Sequence, residues 1–143
     1  MKLYELHNSE IPNISWIYPN LEREWEVAQR YPKIFQTKKE YLKIARDGEI
    51  ITIHPNINLV IKNFSVKDKF SKSVPEKKKR VEGDYGKRTV EMPILIDMLD
   101  GTYELMAGKA RMTYATENGL PVQALVIKGK KKESPTKKDK KTK

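Results

Sequence analysis

The 143-residue chain has no cysteine and only two histidines, His7 and His54, far apart in sequence. Without thiols there is no disulfide, no thiolate metal centre and no sulfur nucleophile, and two distant histidines give little basis for a histidine-based metal site or triad. Long apolar runs are missing too: nothing approaches the roughly 20 residues of a membrane-spanning helix. The opening residues, with Lys2, Glu5, His7 and Glu10, lack the apolar stretch of a signal peptide. We expect a cytoplasmic protein with no membrane partner. A chain of this length accommodates one domain with a real core and is short for two.

Acidic residues are scarce where basic ones crowd. The net charge is +10, yet residues 1–64 hold nine basic and eight acidic side chains, and residues 89–127 hold two basic and five acidic ones. The excess sits in residues 65–88, with nine basic and four acidic side chains, and in residues 128–143, with nine and two. The final stretch, which includes Lys130, Lys131 and Lys132, has no apolar side chain besides Pro135. It has nothing with which to offset the entropy of ordering, so a disordered tail is expected. Residues 65–88, with Lys77, Lys78, Lys79 and Arg80 between Pro75, Gly83 and Gly86, read as a basic flexible insertion. Both stretches attract nucleic-acid backbone by counterion release, non-specifically and in a salt-sensitive way.

Between Thr89 and Ile127 the only basic residues are Lys109 and Arg111, immediately after Gly108. The aliphatic run from Pro93 to Leu99 reads as a strand buried on both faces. Asp100-Gly101 favours a two-residue hairpin turn, returning residues Thr102 to Met106 antiparallel. Lys109 to Asn118 lacks glycine and proline and reads as a helix, stopped at Gly119 and Pro121 before a last strand from Val122 to Ile127. Glycine at a helix start beside an arginine is a natural anion seat, because the first helical amides carry partial positive charge and lack intrahelical partners. Gly108, Lys109, Ala110, Arg111 and Thr113 are therefore the candidate phosphate-binding residues. The alternative is a structural one, with Arg111 paired to Glu104 or Asp97 and Gly108 serving only a sharp turn.

Over residues 92–127 the succession Pro93-Ile94-Leu95-Ile96-Asp97, Asp100-Gly101-Thr102-Tyr103-Glu104-Leu105 and Gly108-Lys109-Ala110-Arg111-Met112-Thr113-Tyr114-Ala115 resembles the ParB/sulfiredoxin-like superfamily. That resemblance implies a small fold binding a nucleotide, ATP or CTP with or without Mg, at the glycine and arginine. Members act as nucleotide-gated DNA-binding proteins, small-molecule kinases, sulfinic acid reductases or nucleases. Sulfiredoxins carry cysteine and histidine where this chain has Lys109 and Ala110, so sulfinic acid reduction is excluded. The partitioning members carry glutamate and arginine there, so triphosphate hydrolysis is expected to be slow or absent while anion binding is retained. Small size, a basic tail and a partial match fit a bacteriophage accessory protein, whose compartment would be the host cytoplasm.

Upstream, Asn20 precedes a helical pattern through Tyr31, where Leu21, Trp25 and Ala28 share a face. Thr37-Lys38-Lys39-Glu40 matches a capping box opening a second helix that ends at Asp47-Gly48. Residues Glu49 to Ile53 and Ile57 to Asn63 read as short strands, and Trp16, Tyr18 and Trp25 as core. The expectation is one α+β domain over residues 1–127, with a small mixed sheet, N-terminal helices and a basic tail over 128–143. Its leading function is nucleotide or phosphate binding on or near nucleic acid. The alternatives are a metal-dependent nuclease or phosphoryl-transfer enzyme, with Asp97, Asp100 or Glu104 holding a divalent ion, and a non-catalytic protein-interaction module.

Overall fold

The computed structural model describes residues 14–54, 60–65 and 75–129. Its centre is the expected apolar run: β5, Ile94–Asp97, has Ile94, Leu95 and Ile96 fully buried, and its neighbours lie on both sides. β6, Thr102–Ala107, runs antiparallel to it, and β7, Val122–Lys128, runs parallel to it. β2, Glu49–Ile53, adds antiparallel to β7, and β3, Val60–Ile61, adds parallel to β6. The mixed sheet has the order β2-β7-β5-β6-β3. A separate parallel pair joins β1, Ser15–Ile17, to β4, Thr89–Glu91, a pairing invisible in the local pattern.

Successive residues of a strand point to opposite faces, so the sheet carries two cores. On one face Ile94, Ile96, Met106, Leu125 and Ile127 pack against Ala28, Phe35, Tyr41 and Ala45. The helices there are α1, Trp25–Ala28, and α2, Lys38–Arg46. On the other face Leu95, Leu105 and Ala124 pack against Val81, Tyr85, Met112 and Ala115, carried by α3, Pro75–Gly86, and α4, Lys109–Glu117. Helices therefore cover both sides, and the two from the C-terminal half are indispensable to the second core; the expected concentration of helices in the N-terminal half is corrected. Among the described residues no helix is long and apolar enough to cross a membrane.

Several local expectations hold. Thr37 Oγ1 accepts from Glu40 N at 3.1 Å, and Glu40 Oε1 accepts from Gln36 N, so the capping box forms with its return bond one residue early. α4 starts and stops where the glycines require, with Gly119 at φ 66. Others change. Residues Leu21 to Tyr31 form only the single turn α1 amid irregular turns, because several amides bond three residues back (Trp25 N to Glu22 O, Val27 N to Glu24 O, Tyr31 N to Ala28 O). The hairpin between β5 and β6 is closed by Met98 N donating to Thr102 O, leaving three loop residues, with Leu99 at φ 65 and Gly101 at φ 89. Two carboxylates impose that length: Asp97 Oδ1 accepts from Leu99 N, and Asp100 Oδ1 accepts from Thr102 N and its hydroxyl.

The largest correction concerns residues 65–88. Residues 75–86 form the longest helix among those described, held by Val81 and Tyr85, one turn apart and buried beneath a charged exterior. Tyr85 stacks on Tyr114 with ring centroids 4.4 Å apart and meets Trp16 edge-on. Trp25 likewise packs beside Tyr41, whereas Tyr18 is 45% exposed and does not join the core. Residues 66–74 of that insertion, residues 57–59 of the expected strand, and the tail from Lys130 onward, with Lys131 and Lys132, lie outside the described residues.

Candidate functional site

Gly108 sits where the chain leaves β6 and turns into α4, and its φ of 100 is one that other residues rarely adopt. A Cβ there would stand 2.8 Å from Pro93 Cβ and 3.2 Å from Arg111 Nη2, so glycine is what brings the backbone against the start of β5 and the guanidinium. No side chain caps α4 at Gly108, and Met112 N donating to Gly108 O at 2.9 Å is the first full helical bond.

Arg111 reaches back from the first turn of α4 to β4. Its Nη1 donates to the Glu91 carbonyl at 2.8 Å and lies 3.9 Å from Glu91 Oε1, with the side chain only 16% exposed. The expected partners, Glu104 and Asp97, are replaced by Glu91. Burial pulls the guanidinium below its ordinary pKa while the Glu91 charge opposes that shift. Glu91 is a hub, since its Oε2 also accepts from Asn20 N at 2.8 Å and from Arg23, which simultaneously bonds Glu24 Oε2 at 2.7 Å. Arg111 is therefore an anchor between α4 and β4 whose outer nitrogen stays beside Gly108.

A cleft of about 580 Å³ opens over this point. Arg23, Val27 and Arg30 border it from the α1 side; Lys77, Arg80 and Asp84 border it from α3, where spacing i, i+3 and i+7 puts them on one strip. Its floor is Gly108, Lys109, Ala110 and Arg111. The cleft thus lies at the end of β6, with walls from both helical layers. Among the described residues it gathers six cationic side chains against three acids, Glu24, Asp84 and Glu91. Arg30, Lys77 and Arg80 make no ion pair within the described residues.

Four of the five expected phosphate-binding residues line this cleft. Thr113 does not: it is 2% exposed, and its hydroxyl donates to Ala110 O within α4. Of the basic quartet, Lys77 and Arg80 face the cleft and Lys78 and Lys79 do not. The three carboxylates considered for a metal stay apart. Asp97 and Asp100 are engaged in the β5–β6 loop, while Glu104, paired across the strands with Ile96, belongs to the opposite sheet face from Asp97 and lies by Tyr31. Among the described residues no group of three or more histidine, aspartate or glutamate side chains is arranged to hold a metal ion. Arg23, Arg30 and Glu91 were outside the expected set; the i, i+7 spacing of Arg23 and Arg30 is their only trace in the sequence.

Comparison with protein families, curated proteins and solved structures finds no match to this chain.

Proposed function

We propose that the protein binds a phosphate-bearing ligand of the nucleotide class in the cleft over Gly108 and works on or near nucleic acid. The observation that carries this reading is the convergence of Arg30, Lys77 and Arg80, which make no ion pair among the described residues, from two separate segments on the glycine that begins α4. Like charges gathered at one place repel one another and destabilise the free protein, a cost that an anionic ligand relieves. The helix start adds its partial charge to theirs. The reading extends the ParB/sulfiredoxin-like resemblance of residues 92–127 and leaves Arg111 with two tasks, holding β4 and lending one nitrogen to the seat.

A thermal-shift series with nucleoside mono-, di- and triphosphates, each with and without magnesium, tests it. A ligand at about 100 times its dissociation constant should stabilise the native state by about 2.7 kcal/mol. Arg30→Ala and Arg80→Ala should each remove most of that shift without lowering the melting temperature of the free protein, since each relieves like-charge repulsion. No shift with any phosphate compound would refute the proposal.

A further inference from the structure

We infer that the cleft receives a single strand of nucleic acid by its sugar-phosphate backbone, with the bases left in solvent, an inference that rests on the phosphate-binding reading above and names the ligand. The charges are arranged by depth. Glu24 and Glu91, only 11% and 23% exposed, are both engaged by Arg23, and Glu91 also holds Arg111. This inner network is balanced, two acids against two cations. Arg30, Lys77 and Arg80 are exposed instead and make no ion pair among the described residues. Arg30 stands on one side of the cleft, and Lys77 and Arg80 stand on the other, one turn apart along α3. The excess charge that attracts an anion therefore lies at the rim. A free nucleotide is bound differently, with most of its surface enclosed and its polar partners set around it. Rim cations on two sides suit a backbone that passes between them and continues beyond.

The rest of the lining gives a base nothing to rest on. Among the described residues no aromatic side chain borders the cleft, so there is no platform for stacking. Val81, Leu105 and Met106 are buried in the two cores and offer a ring no surface. Recognition is left to the phosphates, which position a strand without reading its sequence. Flexibility decides between one strand and two. A duplex is stiff over about 150 base pairs and cannot fold its backbone into a cleft of about 580 Å³, whereas a single strand bends to enter it.

The test is fluorescence anisotropy of the full chain with labelled single strands of about 12 nucleotides, the matching duplex, and ATP as competitor, over a series of salt concentrations. Arg30→Ala and Arg80→Ala should each weaken single-strand binding about tenfold and lower its salt slope by about 0.7, the value for one phosphate contact on a single strand. Lys39→Ala removes the same charge from an exposed position on α2 away from the cleft, and should change neither. Strands of different sequence should agree within about threefold, and duplex binding should respond to the cleft variants no more than to Lys39→Ala. Arg30 and Arg80 are exposed and make no ion pair among the described residues, so the variants should melt as the parent does. Cleft variants indistinguishable from Lys39→Ala on single strands would overturn the inference, as would an equal loss on duplex. ATP binding as tightly as the strand, and losing affinity in Arg30→Ala, would overturn it while leaving phosphate binding in the cleft intact. Failure of strands and ATP alike to bind would overturn both this inference and the function on which it rests.

Discussion

Arg111, expected from the sequence to seat an anion, serves the fold directly. Its Nη1 satisfies the Glu91 carbonyl in a mostly buried setting, so removing the guanidinium leaves that oxygen without its partner. Arg111→Ala should therefore destabilise the fold by about 1–3 kcal/mol, read from urea denaturation. Arg30→Ala, at an exposed position, should stay within about 0.5 kcal/mol of the parent. Equal effects of the two would refute the assignment of Arg111 as an anchor. Gly108→Ala joins an unfavourable φ to a 2.8 Å approach to Pro93 and should cost at least as much as Arg111→Ala. Asp100, fully exposed, is held below its ordinary pKa first by the Thr102 hydroxyl and then by the Thr102 amide. Because its native pKa is depressed, that contribution is present above the unfolded value and is lost as pH falls through the native one. The stability difference between wild type and Asp100→Ala should accordingly close in acid.

At the scale of elements, α3 is the informative case. It is largely charged, and two residues, Val81 and Tyr85, hold it to the sheet. Gly83 lies in its exposed interior with nothing within 4 Å of where a Cβ would stand. Gly83→Ala should raise stability by about 0.5–1 kcal/mol, whereas Val81→Ala should lower it by about 1–3 kcal/mol. Thermal melts of the two variants check both signs; a destabilising Gly83→Ala would mean that the helix is not formed there. The same element places Lys77 and Arg80 along the cleft, so the helical strip is what converts a basic run into one wall of it.

For the whole molecule, the sheet with helices on both faces buries phenols in each core. Tyr41, whose hydroxyl donates to Leu21 O at 2.8 Å, has its pKa pushed up to about 12, chiefly by burial. Tyr31 and Tyr85 are raised as well, again with burial the main cause. Unfolded tyrosines ionise near the ordinary value of 10.0 while these remain protonated in the native state. Their contribution is complete below that pH and lost as pH rises through the native values. Urea midpoints should fall steadily above about pH 10, and the fall should be shallower in Tyr41→Phe. Charge also acts at this scale. Residues 130–143 hold eight lysines against two acids. If the protein binds DNA non-specifically as proposed, their deletion should flatten its salt dependence, which scales with the number of phosphates neutralised, and leave the proposed nucleotide binding unchanged. Equal salt slopes for full-length and truncated protein would assign the tail no part in contacting nucleic acid.

The succession β5, β6, α4 and β7 was legible in the sequence because each piece follows from interactions within a turn or two of chain. Aliphatic runs make buried strands, Asp100-Gly101 reverses the chain, glycines at 108 and 119 accept positive φ, and Thr37 caps α2. The carboxylates of Asp97 and Asp100 already modify that local logic by binding amides two residues on, which stretched the expected two-residue hairpin. Tertiary structure alone decided the rest. Two apolar residues in a basic run become a helix core only when Trp16, Tyr114 and the sheet offer a surface to bury them. Arg111 chose Glu91 over the sequence-nearer Asp97 and Glu104 because β4 runs past the start of α4. Arg30 and Arg80 meet across one cleft because segments far apart in the chain cover opposite faces of one sheet, and such long-range geometry depends on packing that no local pattern encodes.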